Sequence, residues 1–114
     1  MGYDVIYYES TTGKCPVMDF MRTLSPASKK KISWVLDFVG KFDFLPSNYF
    51  KKLAGVKNTW ELRLQKGGLS IRLLGCIHGR QLVLVHGFLK KDRKIPQCEI
   101  DVANQRIEDY LKRV

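Results

Sequence analysis

The chain has 114 residues, 45% hydrophobic and 27% charged, which suits one domain of the usual size, roughly 100 to 200 residues, spanning 1–114 and is too apolar for a disordered segment. No apolar run approaches the roughly 18 to 20 residues that cross a bilayer, and Asp4 and Glu9 stand where a signal peptide would be basic and apolar, so a cytoplasmic protein with no membrane contact is expected. Twenty basic against eleven acidic residues leave +9, and the surplus is local: from Phe44 to Cys98 eleven basic residues face two acidic ones, a pattern that steers polyanions.

Tyr3 to Glu9 is rich in β-branched and aromatic residues and reads as a strand, ended by Ser10-Thr11-Thr12-Gly13. Pro16 suits the first position of a short helix with Val17, Phe20, Met21 and Leu24 at helical spacing. Ser25 then caps and Pro26 opens a second helix, whose stripe of Ile32, Val35, Leu36, Val39 and Phe42 is expected to run out near Phe42 to Leu45, before Pro46-Ser47-Asn48. From Trp60 the period falls to two: Trp60, Leu62 and Leu64 point one way, and Glu61, Arg63 and Gln65 point to an expected wet face. Lys66-Gly67-Gly68 turns the chain into a strand from Leu69 to Ile77, with Ile71, Leu73 and Ile77 on one face and Ser70, Arg72, Leu74 and Cys76 on the other. His78-Gly79-Arg80 is the next turn. Gln81 to Leu89 is apolar on both faces and reads as an interior strand. After Pro96, Ile100, Ala103, Ile107, Tyr110, Leu111 and Val114 make the apolar side of a closing amphipathic helix. The expected fold is α+β, in the order β-α-α-β-β-β-α, with an antiparallel meander packed against helices.

Arg63 and Arg72 fall on strands joined by a short turn, so both guanidiniums can leave one sheet face, where their planar forks suit phosphate oxygens. Alternatively, Arg63 pairs with Glu61, and Arg72 covers apolar surface with its stem. Lys90-Lys91-Asp92-Arg93-Lys94 follows the apolar strand and is anchored between Phe88 and Ile95-Pro96, a cationic cluster able to hold a phosphate or simply to face solvent. His86 is either a hydrogen-bonded core residue or a proton-transfer group, and His78 is left without a role. Two histidines and three cysteines (Cys15, Cys76, Cys98) match no metal or disulfide pattern, and Cys76 and Cys98 are expected to pack as small apolar residues.

Taken in order, Lys51-Lys52-Leu53-Ala54-Gly55, Trp60-Glu61-Leu62-Arg63, Ile71-Arg72-Leu73 and His86 through Pro96, with Glu99-Ile100 and Ala103 behind, resemble the RelE/ParE toxin superfamily, in its HigB-like, phage-derived branch. The resemblance implies a type II toxin, neutralised by a cognate antitoxin of helix-turn-helix type, that binds the ribosome and cuts mRNA without cofactor or metal. In it Arg63, Arg72, Lys90, Lys91 and Lys94 match basic positions of the family; with the residue reading above, the catalytic candidates are Arg63, Arg72, Lys91, Lys94 and His86, and the RNA-contact candidates Lys51, Lys52, Lys57, Lys66, Lys90 and Arg93. Some relatives keep a catalytic tyrosine or histidine just past the basic cluster, where this chain has Ile95, Pro96 and Gln97. General base and acid are therefore unassigned, and a ParE-like gyrase inhibitor and a non-catalytic RNA-binding protein remain as alternatives.

Overall fold

The two glycine turns set the meander. In a computed structural model that describes residues 2–42 and 46–114, β3 (Trp60–Lys66) passes to β4 (Leu69–His78) through Gly67 and Gly68, both at positive φ, as a two-residue hairpin loop of type I′ requires. β5 (Gln81–Leu89) follows across Gly79, also at positive φ, and pairs antiparallel with β4. β1 (Asp4–Tyr7) joins the far side of β5 in parallel. A further strand, β2 (Phe50–Lys52), absent from the sequence expectation, pairs antiparallel with β3 at the opposite edge. The sheet order is β1-β5-β4-β3-β2, so the architecture is α+β with a five-stranded, mostly antiparallel sheet. β2 has three residues, two of them lysines that suit an exposed edge, and its pairing with Trp60, Glu61 and Leu62 defines it rather than its own composition.

Helices cover both faces. α1 (Pro16–Arg22) and α2 (Pro26–Lys41) lie on one side, where Val17, Ile32, Val35, Leu36 and Val39 pack on Leu62, Leu64, Ile71, Leu73, Leu82 and Leu84. The Ser25 hydroxyl accepts the Ser28 N–H at 3.2 Å, the cap that Ser25-Pro26 suggests. α2 ends at Lys41, and Phe42 is half exposed rather than part of the buried stripe. The expected continuation to Leu45 lies outside the described residues. α3 (Gln97–Arg113) covers the other side, where Ala103 and Ile107 pack with Leu74, Cys76, Val83, Val85 and Phe88. Burial pushes the Cys76 thiol up to about 11, so it stays neutral, whereas Cys98 is exposed at the start of α3 and does not pack as expected. Side-chain bonds pin this helix along its length: Thr59 to Asn104 at 2.9 Å, Tyr110 to Gln81 at 3.1 Å, and Tyr8 to Asp109 at 2.7 Å. Among the described residues no helix is long and apolar enough to cross a membrane.

One irregularity decides which side chains reach the α3 face. Leu74 pairs with His86 but Gly75 pairs with Leu84, so Val85 is the extra residue of a bulge. Without it, Leu84 would share a face with His86 and Phe88. With it, Leu84 joins the α1–α2 core while His86 and Phe88 lie on the α3 side with Arg72. A Cβ at residue 75 would stand 2.2 Å from the Val83 carbonyl oxygen. Gly75→Ala is therefore expected to lower stability by about 1–3 kcal/mol, measurable as a reduced urea midpoint.

Candidate functional site

Arg63 and Arg72 are direct cross-strand partners of β3 and β4, so both side chains leave the face that α3 covers further along the sheet. Glu61 precedes Arg63 by two residues and shares that face. Its expected wet character is corrected by the structure: Glu61 is 2% exposed and Arg72 4%, whereas the Arg63 side chain keeps 32% of its surface. Arg72 lies on a strand paired on both sides, with Phe88 as its β5 partner. A buried arginine needs a counter-charge, and Glu61 supplies it.

Arg72 Nε stands 3.1 Å from Glu61 Oε2, and Arg72 Nη1 donates to the Ile71 carbonyl at 3.0 Å. The Nε–H is not aimed well enough at the carboxylate to count as a hydrogen bond, so this contact is mainly Coulombic. Arg63 Nε lies 3.8 Å from the other carboxylate oxygen, and one buried acid thus holds two guanidiniums. Burial makes the Arg72 cation easier to deprotonate, Glu61 opposes that, and the nearby Arg63 charge adds to it. A guanidinium remains charged under these influences.

A cleft of about 590 Å³ opens beside Glu61 and Arg63. Lys51 enters it because β2 registers Lys51 opposite Glu61. Lys90, Arg93 and Lys94 enter from the loop after β5, where the Lys90 N–H donates to Ser70 at 2.8 Å and extends the ladder. Leu53 and Ile95 pack against the α3-side core and close the cleft on its apolar side. Lys51, Arg63, Lys90, Arg93 and Lys94 thus converge on one concavity around a buried carboxylate. Backbone register sets two of these positions, and a strand end delivers the others.

The remaining candidates lie elsewhere. Lys52 registers with Trp60 and alternates to the opposite face, and Lys57 is exposed in the turn between β2 and β3. Lys66 sits at the end of β3 beside Lys30, Lys31 and Trp34 of α2, and Lys91 is exposed without lining the cleft. Arg72 lines a smaller neighbouring pocket instead. His86 is held by α3: Arg106 Nη1 donates to its Nδ1 at 3.1 Å, which leaves the ring proton on Nε2, 2.8 Å from Glu99 Oε1. Arg106 also donates to the Val85 carbonyl at 2.9 Å, so the imidazole, stacked on Phe88, is fixed at both nitrogens.

Glu61 as the hub is what the alternating pattern concealed. The signal was present, since it is one of only two acidic residues between Phe44 and Cys98 and lies two residues from Arg63. Of the partners of His86, Glu99 belongs to the pattern that carries the family resemblance without any sign of its pairing, and Arg106, on the polar side of the helix, has no mark at all.

Chemically, the cleft presents anion-binding groups of two kinds. Arg63 can clasp two phosphate oxygens at once, while the lysines act as movable point charges. Among the described residues no group of His, Cys, Asp and Glu side chains converges as a metal site. The family described as Phage derived protein Gp49-like (DUF891) matches residues 19–108, which span every strand except β1 and all but the last turn or so of α3. No curated protein matches the chain.

Proposed function

Because the chain belongs to the phage-derived Gp49-like family, within the RelE/ParE/HigB toxin superfamily, we propose that it is the toxin of a type II toxin-antitoxin module that cuts mRNA on the ribosome. The observation that carries the reading is the convergence of Lys51, Arg63, Lys90, Arg93 and Lys94 on one cleft. Five cations around a scissile phosphodiester would stabilise the extra negative charge that develops when the RNA 2′-oxygen attacks phosphorus. Glu61 acts as a positioning residue, orienting Arg63 and matching the buried Arg72. His86, with both ring nitrogens engaged on α3, supports the sheet beneath the cleft rather than exchanging protons.

In this reaction the 2′-hydroxyl gives up its proton to solvent, its oxygen bonds to phosphorus, the bond to the 5′-oxygen breaks, and the products end in a 2′,3′-cyclic phosphate and a 5′-hydroxyl. Of the two loop lysines that are candidates for proton transfer, only Lys94 lines the cleft, and it is assigned to protonate the departing 5′-oxygen. Lys94→Arg is expected to bind programmed ribosomes normally but to cleave about a hundredfold more slowly in single turnover, because a guanidinium does not give up its proton. Lys91→Arg should cleave at the parental rate. An undiminished Lys94→Arg enzyme would make the cluster purely electrostatic.

The reading as a whole is tested with purified chain and ribosomes carrying a short message. Cleavage should leave a cyclic phosphate, and a single 2′-deoxynucleotide at the cut position should abolish it. Cleavage through that deoxynucleotide would remove the mechanism. The family membership implies a cognate antitoxin, and a helix-turn-helix protein with an acidic segment complements the cleft by charge.

A further inference from the structure

Sharing Arg63 with the cleft lies a second pocket of about 260 Å³, lined by Lys31, Asn48, Tyr49, Arg63, Gln65 and Arg72. We propose that it is a nucleobase pocket, in which the base next to the phosphate held at Arg63 stacks on the Tyr49 ring while Asn48 and Gln65 contact its edge. The identity of the ligand as RNA rests on the ribonuclease reading above.

The ring is already fixed for that task. The Tyr49 carbonyl accepts the backbone N–H of Arg63 at 2.7 Å, which ties the Tyr49 backbone to β3, and both residues line the pocket. Trp34 supports the Tyr49 ring edge-on, with centroids 6.4 Å apart at 66°. Lys31 Nζ lies over the Trp34 ring, 5.1 Å from its centroid, and over the Tyr49 ring at 6.0 Å, so a flexible cation that a stacking base would displace sits on the aromatic pair. An ordered aromatic surface flanked by cations is the combination that holds single-stranded nucleic acid, since every base has a face to stack and every nucleotide a phosphate.

The polar groups favour a base over a protein carboxylate. Gln65 follows Arg63 by two residues and is exposed on the same face of β3. Its amide donates to the Ser70 hydroxyl at 3.3 Å, leaving its carbonyl oxygen and second N–H for a ligand. Asn48 adds another donor and acceptor at the pocket rim. A carboxylate offers acceptors only and would leave both amide carbonyls unused, whereas base edges carry donors and acceptors together. Because Arg63 lines both concavities, a phosphate on its guanidinium puts the adjoining nucleotide within reach of the pocket.

The test is fluorescence anisotropy of labelled single-stranded A, C and U oligoribonucleotides with the full chain over a range of salt. Tyr49→Phe should bind like the parent. Tyr49→Leu should lose roughly tenfold in affinity with an unchanged salt dependence, because a stacking face and no phosphate contact is removed. Gln65→Ala, at an exposed strand end where folding is not at stake, should narrow the spread among the three oligomers. Parental and Tyr49→Leu chains that bind alike, or no measurable binding by the parent at low salt, would overturn the proposal. So would a glutamate-rich peptide whose binding depends on Tyr49 when RNA binding does not, since the pocket would then serve a protein partner. Tyr49-dependent RNA binding by a chain that cuts no message would uphold the pocket and remove the nuclease reading, and cleavage with all variants binding alike would do the reverse.

Discussion

Arg72→Ala is expected to destabilise the fold by about 3–5 kcal/mol, the cost of leaving one member of a buried ion pair without its partner. The carboxylate left behind is Glu61, 3% exposed in its side chain, with Arg63 at 3.8 Å as its remaining cation. Loss of toxicity in this variant would then report loss of fold, so the residue cannot be assigned to chemistry by alanine alone. Two controls separate the roles. Glu61→Gln should also be destabilised, because Arg72 then lacks its counter-charge, whereas Glu61→Leu combined with Arg72→Met replaces the pair by apolar groups and should recover most of the loss. Urea unfolding of the four chains measures this. A singly substituted Arg72→Ala chain as stable as the parent would mean that the pair is solvated and Arg72 is free to act on substrate.

Arg63→Ala is expected to behave in the opposite way. Its side chain is one-third exposed, and its 3.8 Å contact with Glu61 is of the weak, partly screened kind, so stability should change by less than about 1 kcal/mol. Cleavage should fall by about a hundred- to a thousandfold, the usual loss when one preorganised donor to a developing anion is removed. Arg63→Lys should recover only part of that, since an ammonium cannot take two phosphate oxygens in a fork. Single-turnover cleavage of ribosome-bound message, with the melting temperature recorded beside it, separates the cases. An Arg63→Ala chain that cuts at the parental rate would displace the cleft from the reaction.

Elements with a strong local signature are legible in the sequence. Pro16 and Ser25-Pro26 start helices where expected, and the alternation of Trp60, Leu62 and Leu64 puts the two leucines in the α1–α2 core. What escaped depends on neighbours distant in the chain. β2 is a strand because β3 pairs with it, and the bulge after Leu74 reverses the facing of Leu84 without disturbing an apolar run that is hydrophobic on both sides. Glu61 and Arg72 looked exposed because alternation assigns charged residues to water, yet a carboxylate and a guanidinium on adjacent strands can be buried together. The binding partners of His86 lie thirteen and twenty residues away on α3, beyond any local pattern. The cationic character of the site was readable from the charge count. Its division into lysines that converge on the cleft and lysines that do not was settled by register, as Lys51 and Lys52 show.

In the proposed function, the cleft lined by Lys51, Arg63, Lys90, Arg93 and Lys94 cuts translated RNA. The most direct test maps the 5′ ends of one message in cells expressing the parental chain or Arg63→Ala at equal levels, beside a copy of the message whose start codon is removed. New ends at codon positions in the translated copy with the parental chain, and none with the untranslated copy or with Arg63→Ala, are the expected result. Intact messages in cells that stop growing, accompanied by gyrase-linked DNA breaks, would contradict it.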